Sequence, residues 1–344
     1  MTGEAAVRDK PGQGGSAKSH QMRTAVLLAA ALAALGWMSA DRAGAQQYPT
    51  NTIRMVVGFN ASSSADTVAR MVGKHMEKQL GQPVVVENKP GNSSMIAAEL
   101  VARAPNDGYT LFMATVANTI FPARTGAKFN LGTDLQPIAL LGRVPGVLVV
   151  HPSVPAKTTQ ELAALMKTKP ETLTFGTSGV GTSSHLAAEM LNLKLGAKVV
   201  AVHYQGGSSQ RVVDLLAGRV NMAFNVAISV VPQIRQGTLR AIAVAQPKRT
   251  AILPDVPTLD EAGIHGVDGG VWIGLLAPAN TSPAIVAKLS ASANEALKSP
   301  DVVKAFQSQG IDSLGGSPAD FAKFIREDIE RWTSVLKSVD LQKR

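Results

Sequence analysis

Runs of apolar and β-branched residues alternate along the chain with segments whose apolar residues recur at helical spacing. The first such run is Ile53–Val57, and the next segment places apolar residues from Val68 to Met76 on one helical face until Gly81 ends it. Further runs predict strands at residues 84–86, 110–114, 147–150, 173–175, 199–202, 222–224, 241–244 and 272–276. Such alternation is typical of βαβ units, so the pattern predicts an α/β fold with parallel sheets.

Helix-boundary residues support this interpretation. Thr158 and Glu161 have the spacing of a capping box, which predicts the start of a helix. Other predicted helices end at Gly196, Gly218 and Gly237, because glycine readily adopts the left-handed conformation that ends a helix. Each of these helices lies between two predicted strands, as a βαβ crossover requires.

The N-terminus has the pattern of a secretory signal. Arg23 precedes an Ala-rich apolar run over residues 24–38, and Ala43-Gly44-Ala45 provides small residues for cleavage. The run is short for a membrane span, which needs about 20 apolar residues, although an uncleaved anchor is the alternative. We therefore expect residues 1–45 to be an N-terminal extension and signal peptide and the mature secreted chain to begin near Gln46. Translation could start at Met1 or at Met22.

Composition and charge narrow the class of protein. Hydrophobic residues make up 45% and charged residues 17% of the 344 positions, as in ordinary globular proteins. The chain contains no cysteine, which excludes disulfides, thiolate metal sites, a cysteine nucleophile and a lipoprotein anchor. The net charge of +9 is spread along the chain, which argues against a nucleic-acid-binding surface. It indicates either a solvated basic surface or a long-range preference for anionic ligands.

Two loops have the composition of anion-binding sites. Residues 57–66 follow the first strand and open a helix, so backbone N–H groups and the positive helix end favour an anion there. Capping of that helix by Ser63, Ser64 or Asp66 is the alternative role for these side chains. Residues 175–185 run in the same way from a strand through a Gly-rich loop into a helix. This second loop lacks the Gly-Lys-Ser/Thr of a phosphate loop, and Val180 stands where a G-x-S-x-G nucleophile elbow needs glycine.

Several longer motifs occur together in a specific order. Val86-Glu87-Asn88-Lys89-Pro90-Gly91 is followed by Asp107-Gly108-Tyr109-Thr110-Leu111, then by Leu253-Pro254-Asp255-Val256-Pro257-Thr258 and by Gly274-Leu275-Leu276-Ala277-Pro278. In this order the motifs closely resemble the Bug (TctC-like) family, whose members are periplasmic solute-binding receptors of tripartite tricarboxylate transporters. The resemblance covers about residues 48 to 340.

The resemblance implies a fold, a function and partners. The fold would be a two-lobed periplasmic binding protein, type II-like, with a mainly parallel sheet flanked by helices in each lobe. We expect lobe one at residues 46–150 plus 271–344 and lobe two at residues 151–270. A small organic carboxylate, either an aliphatic di- or tricarboxylate or an aromatic acid, would bind between the lobes of a monomer. Integral-membrane transporter subunits would then receive it.

The family's site residues transfer onto both loops and a third motif at residues 202–207. The candidate ligand-binding residues are Phe59, Asn60, Ala61, Ser62, Ser63, Asp66, Ser178, Gly179, Thr182, Ser183, Tyr204, Gln205 and Asn225. The first loop departs from the family's Pro-Phe-Pro-Pro-Gly-Gly-x-x-Asp, because only Phe59 and Asp66 match. Gln205 replaces a basic residue and Asn225 an acid of the family pattern. These departures predict an altered ligand rather than a different fold.

Catalysis and signalling are the alternatives to transport. The six histidines are scattered and form no H-E-x-x-H pair, so we expect neither a metal nor a cofactor. His185 heads an apolar helix and is interpreted as structural. A hydrolase could pair a serine from residues 62–64 or 182–184 with His203, but a triad is recognised by geometry, which the sequence does not supply. An orphan sensor that passes its ligand to a signalling partner is the other alternative.

Overall fold

The computed structural model describes residues 48–61, 63–204 and 208–338. The expected signal peptide and two of the candidate site residues, Ser62 and Gln205, lie outside these ranges. The described chain from Pro49 onward forms one compact unit.

Strands and helices alternate along the unit, as the sequence pattern predicts. The strands are β1 (Ile53–Val57), β2 (Val84–Asn88), β3 (Thr110–Thr115), β4 (Leu135–Val144), β5 (Gly146–Val150), β6 (Thr174–Thr177), β7 (Val200–His203), β8 (Met222–Val226), β9 (Arg240–Val244), β10 (Val271–Pro278) and β11 (Asp312–Ser313). The helices are α1 (Ser64–Leu80), α2 (Met95–Ala102), α3 (Ala117–Thr125), α4 (Leu131–Asp134), α5 (Thr159–Thr168), α6 (Ser183–Leu195), α7 (Ser208–Leu216), α8 (Val231–Arg235), α9 (Pro283–Ala296), α10 (Pro300–Ser308) and α11 (Pro318–Ser338). The capping box of Thr158 and Glu161 is confirmed at the start of α5.

The strands form two mixed sheets flanked by helices, in the orders β11-β4-β10-β3-β1-β2 and β7-β6-β8-β5-β9. The βαβ segments give parallel pairs, of β1 with β2 and β3 and of β6 with β7 and β8. β10 instead runs antiparallel to β3 and β4, and β5 runs antiparallel to β8 and β9. The expectation of mainly parallel sheets is corrected here. Strands that arrive from the other sheet need no crossover helix and can pair in either direction.

The first connection between the sheets is shorter and earlier than expected. β4 belongs to the first sheet and β5 to the second, so the chain passes between them at Pro145 alone. The predicted first lobe extends to residue 150, because Pro152 follows the strand predicted at residues 147–150 and β4 was not predicted. Pro137 and Gly142 interrupt its apolar pattern, and both residues disfavour a strand prediction.

The two connections between the sheets touch one another. A Cβ atom added to Gly146, at the start of β5, would lie 2.7 Å from the backbone nitrogen of Gly270 and closer still to the carbonyl of Gly269. Gly269 and Gly270 belong to the returning connection that leads into β10. Only a residue without a side chain allows so close an approach of two backbones.

A buried core beside the first sheet ties β10 to the C-terminal helix. The Trp272 ring packs edge-to-face on Phe321 with 5.9 Å between ring centroids, and its Nε1 donates to Asp328 Oδ2 at 2.9 Å. Thr119 Oγ1 donates to the same oxygen at 2.6 Å. α11 and α3 are thereby held on one face of the sheet.

Among the described residues, no helix combines the length and the apolar character that a transmembrane helix requires.

Candidate functional site

A cavity of about 370 Å³ lies between the loops that follow β1 and β6. Its lining includes the first turns of α1 and α6, part of α3, the end of β3 and the start of β10. The lining residues are Phe59, Ser63, Ser64, Ala65, Ser93, Thr115, Val116, Ala117, Ile120, Phe121, Arg124, Ser178, Val180, Gly181, Thr182, Ser183 and Val271. The two loops singled out in the sequence therefore border one cavity.

In the first loop, Phe59 and Ser63 line the cavity. Ser63 is also the N-cap of α1, since its side chain accepts from the backbone N–H of Asp66 at 3.2 Å. This leaves a hydroxyl at the cavity wall whose acceptor capacity is partly used by the helix. Asn60 and Ala61 are exposed and are not lining residues.

Asp66 is buried behind the first loop rather than in the cavity wall. Its carboxylate accepts from Asn88 Nδ2 at 2.9 Å and pairs with Arg70 at 2.9 Å. The same Asn88 amide donates to the carbonyl of Phe59 at 3.0 Å. Asp66 and Asn88 thus hold the loop in place.

In the second loop, Ser178, Thr182 and Ser183 line the cavity, together with Val180 and Gly181. Gly179 is not a lining residue, and its carbonyl accepts from Thr182 Oγ1 at 2.7 Å. The backbone N–H of Ser178 donates to the Ser184 hydroxyl at 3.0 Å. These bonds define the conformation of the loop without using the Ser178 side chain.

Two histidines lie behind the second loop. His185 is buried, and its Nδ1 accepts from the backbone N–H of Gly181 at 3.0 Å. The rings of His185 and His203 pack edge-to-face with 4.6 Å between centroids. His203 Nδ1 bonds the Thr177 hydroxyl at 2.7 Å, and burial lowers the His203 pKa against an opposing effect of Glu189. The described partner of His203 is therefore a threonine outside the cavity lining.

The third motif contributes residues that stand back from the cavity. Tyr204 donates its hydroxyl to Asp214 Oδ2 at 2.8 Å and is not a lining residue. Burial and that hydrogen bond raise the pKa of Tyr204 to about 12, so it stays protonated. Asn225 is buried and accepts from Arg211 Nη2 at 2.6 Å.

Arg124 was missed in the sequence, although it supplies the one ionised side chain among the described residues that line the cavity. It lies on α3, a helix that the apolar pattern does not reveal because Pro122 interrupts it. The guanidinium lies 5.4 Å from the centroid of the Phe121 ring. The Arg124 side chain also reaches the second loop, where it occupies the space that a Cβ atom at Gly181 would need. Arg124 thus approaches the second loop from the first sheet's side of the cavity.

A strained turn also borders the cavity. Asn92, Ser93 and Ser94 have positive φ angles of 46°, 54° and 71° in succession, and Ser93 is a lining residue. Left-handed backbone at residues other than glycine costs about 1–3 kcal/mol each and clusters at binding sites. Pro90-Gly91 directly before these residues marks a turn in the sequence, but the three left-handed positions themselves carry no glycine that would reveal them.

The remaining lining is mostly apolar. Phe59, Val116, Ile120, Phe121 and Val180 all face the cavity, and the part of the lining that the structure describes contains no carboxylate. Within the described residues, no group of three or more His, Asp or Glu side chains could hold a metal ion. The arrangement suits a small ligand with an anionic group and an apolar body.

Comparison with known proteins decides the family. The model of the "Tripartite tricarboxylate transporter family receptor" matches residues 68–341. The chain belongs to this family. The resemblance found in the sequence is confirmed, and members of the TctC family are periplasmic solute-binding receptors rather than enzymes.

Relatives and solved structures of the TctC family agree over most of the chain. BugT of Bordetella pertussis is 34% identical over 299 residues, which cover 85% of this chain and 90% of BugT. MatC from Rhodopseudomonas palustris, solved with bound malate, is 32% identical, with a TM-score of 0.69 over 84% of this chain and 100% of that one. An R. palustris protein solved with adipate is 30% identical, with a TM-score of 0.72 over 85% of this chain and 98% of that one. The two-lobed periplasmic-binding-protein fold is confirmed.

Proposed function

We propose that this receptor captures a small organic carboxylate in the cavity between the two loops and delivers it to the membrane subunits of a tripartite tricarboxylate transporter. The observation that supports this proposal is the set of hydrogen-bond donors and positive groups around the cavity. The N-termini of α1 and α6 border the cavity, hydroxyl groups line it, and Arg124 adds a positive charge. No acidic residue lines the cavity within the described ranges. Helix N-termini and hydroxyl donors favour an anion, and a carboxylate on the wall would oppose it. The malate and adipate in the two R. palustris structures are ligands of this chemical class.

The lining suggests which residues contact the ligand. Within the candidate set, we assign direct contact to Phe59, Ser63, Ser178, Thr182 and Ser183. We add Arg124 and Ser93 from the structure. Asn60, Ala61, Asp66, Gly179, Tyr204 and Asn225 then act from outside the lining. For Asp66, Gly179, Tyr204 and Asn225, the hydrogen bonds described above indicate a supporting role.

The proposal extends to processing, lobes and assembly. Cleavage near Gln46 would release the mature protein, which we expect to be a monomer. Its two lobes are joined by the connections at Pro145 and at residues 245–270. Because β5 pairs in the second sheet, we propose residues 46–144 plus 271–344 as lobe one and residues 146–270 as lobe two. N-terminal sequencing of periplasmic protein tests the cleavage, and an intact N-terminus in the membrane fraction would contradict it.

An acid should bind and its amide should not. We expect adipate, malate or benzoate to raise the melting temperature of the mature protein at pH 7.5, because a ligand that binds only the native state stabilises it. At a ligand concentration of 100 Kd the stabilisation is about 2.7 kcal/mol. Adipamide, malamide and benzamide are the matched controls, and calorimetry measures each Kd. Equal affinity for an acid and its amide would contradict recognition of the carboxylate.

Replacing Arg124 with glutamine should weaken binding of the acid by about tenfold, the lower end of the effect of losing a hydrogen bond to a charged group. The low end is chosen because Arg124 is exposed and water screens its charge. Lys128→Gln is the matched control, since it removes one positive charge from an exposed residue just beyond the same helix. Calorimetry with both variants separates contact from long-range attraction. If both variants lose the same affinity for the acid, the effect is one of net charge. If Arg124→Gln loses no affinity, Arg124 does not contact the ligand.

A further inference from the structure

A buried guanidinium lies beneath the second loop, with no acidic partner among the residues that the structure describes. Arg211, on α7, is 2% exposed. Its Nη1 donates to Ser178 Oγ at 2.8 Å and its Nη2 donates to Asn225 Oδ1 at 2.6 Å. Within the described residues, Arg211 Nε and Asn225 Nδ2 have no hydrogen-bond partner, and no carboxylate oxygen lies within ion-pair distance of Arg211.

This charge is not neutralised by the fold. Burial lowers the pKa of Arg211 to about 10, which still leaves the side chain protonated at neutral pH. The acidic residue of the same helix, Asp214, already accepts from Tyr204, Gln210 and Arg219. Burying a charge beside neutral partners is costly, and a nearby anion would offset that cost.

Ser178 connects this charge to the cavity. Its oxygen accepts from Arg211, and its backbone N–H is bonded to Ser184. The hydroxyl hydrogen has no acceptor among the described residues and can donate to a ligand, because Ser178 lines the cavity. A hydroxyl that accepts from a cation is polarised and donates more strongly.

We propose that Arg211 is a positioning residue that selects for an anionic ligand group by orienting and polarising the Ser178 hydroxyl. One oxygen of the ligand's carboxylate accepts from Ser178 Oγ, and the carboxylate supplies the counter-charge that Arg211 lacks in the protein. This inference rests on the proposed function, and it assigns the anionic group to the second loop.

The variant Asn225→Asp tests the inference with almost no change of shape. The new carboxylate keeps the acceptor for Arg211 Nη2 and neutralises the guanidinium from within the protein. The probe is whichever of malate, adipate and benzoate raises the melting temperature of the wild type most. We expect its affinity to fall about tenfold or more, because the Ser178 hydroxyl loses its polarising charge and a second negative charge lies nearby. The melting temperature without ligand should be equal to that of the wild type or higher.

Asn221→Asp is the matched control. Asn221 lies just before the start of β8, whereas Asn225 lies near its end. Four residues of extended chain separate the two positions by roughly 13 Å. Its Oδ1 accepts from Thr174 N–H and Oγ1, and an aspartate keeps both bonds. It adds the same charge away from the cavity, so we expect a much smaller change in affinity. A second variant, Arg211→Met, removes the charge but keeps an apolar stem, and it should also weaken binding of the acid.

Each outcome decides a different statement. If Asn225→Asp binds the acid as tightly as the wild type, or melts at a lower temperature, the inference about Arg211 is overturned while the proposed function stands. Equal losses in Asn225→Asp and Asn221→Asp would also overturn it, because the effect would then be one of net charge. If the wild type binds none of the three acids, the proposed function fails and the inference fails with it.

Discussion

Replacing Asp268 with alanine is expected to lower the free energy of unfolding by about 3–5 kcal/mol, the effect of breaking a buried ion pair on one side. Asp268 is 5% exposed and lies just before β10. Its carboxylate pairs with Arg143 and, at 2.8 Å, with Arg331, and it accepts from the backbone N–H of Gly270 at 3.0 Å. The variant leaves Arg143, whose side chain is 13% exposed, without its counter-charge, since Arg331 alone keeps a second partner in Asp328.

Urea denaturation of the wild type and the variant measures this loss. Asp301→Ala is the control, because Asp301 also pairs with a neighbour, His75, but its side chain is 66% exposed. An exposed pair contributes at most about 1 kcal/mol. Similar losses in both variants would contradict the interpretation that burial makes the Asp268 pairs strong.

The pH dependence of stability offers a check on the same network. Burial alone would raise the pKa of Asp268, but Arg143 and Arg331 outweigh it and hold the pKa below its ordinary value of 3.8. The folded protein therefore holds the carboxylate ionised more strongly than the unfolded chain does. The resulting stability is complete above the unfolded-state pKa and is lost as the pH falls through the folded-state pKa. This acid-dependent loss should be smaller in Asp268→Ala.

Replacing Gly146 with alanine is the second change with a large expected effect, roughly 3 kcal/mol of lost stability. The added methyl group would meet the backbone of Gly269 and Gly270, and a backbone atom cannot turn away as a side chain can. The two connections between the sheets would have to separate. We therefore also expect weaker ligand binding, because the cavity takes residues from both sides of these connections.

Gly132→Ala is the matched control for Gly146→Ala. A Cβ atom at Gly132 would meet Asn130 Oδ1 at 3.4 Å, an ordinary contact, and alanine suits the helix α4. Melting and urea titrations should place Gly132→Ala near the wild type. If Gly146→Ala matches it, the close approach of the two connections does not constrain the fold.

The elements that the sequence predicted well have local causes. Ile53–Val57 was predicted with the bounds that the structure shows, because a run of β-branched and apolar residues bounded by turns is a strong strand signal. The start of α5 follows from Thr158 and Glu161, whose side chains bond the backbone within one turn. β4 and α3 were missed, since Pro137 and Pro122 obscure patterns that tertiary packing overrides.

The sequence by itself determined the family, the α/β alternation and the two loops at helix N-termini, because motif order, apolar periodicity and capping residues are local properties of the chain. Only the tertiary structure decided that β5 pairs in the second sheet, that Arg124 reaches the cavity, and that Arg211 lies buried against Ser178 and Asn225. Those facts depend on contacts between residues far apart in the chain. Their distances and burial set the electrostatic environment of the cavity, and no local pattern encodes them.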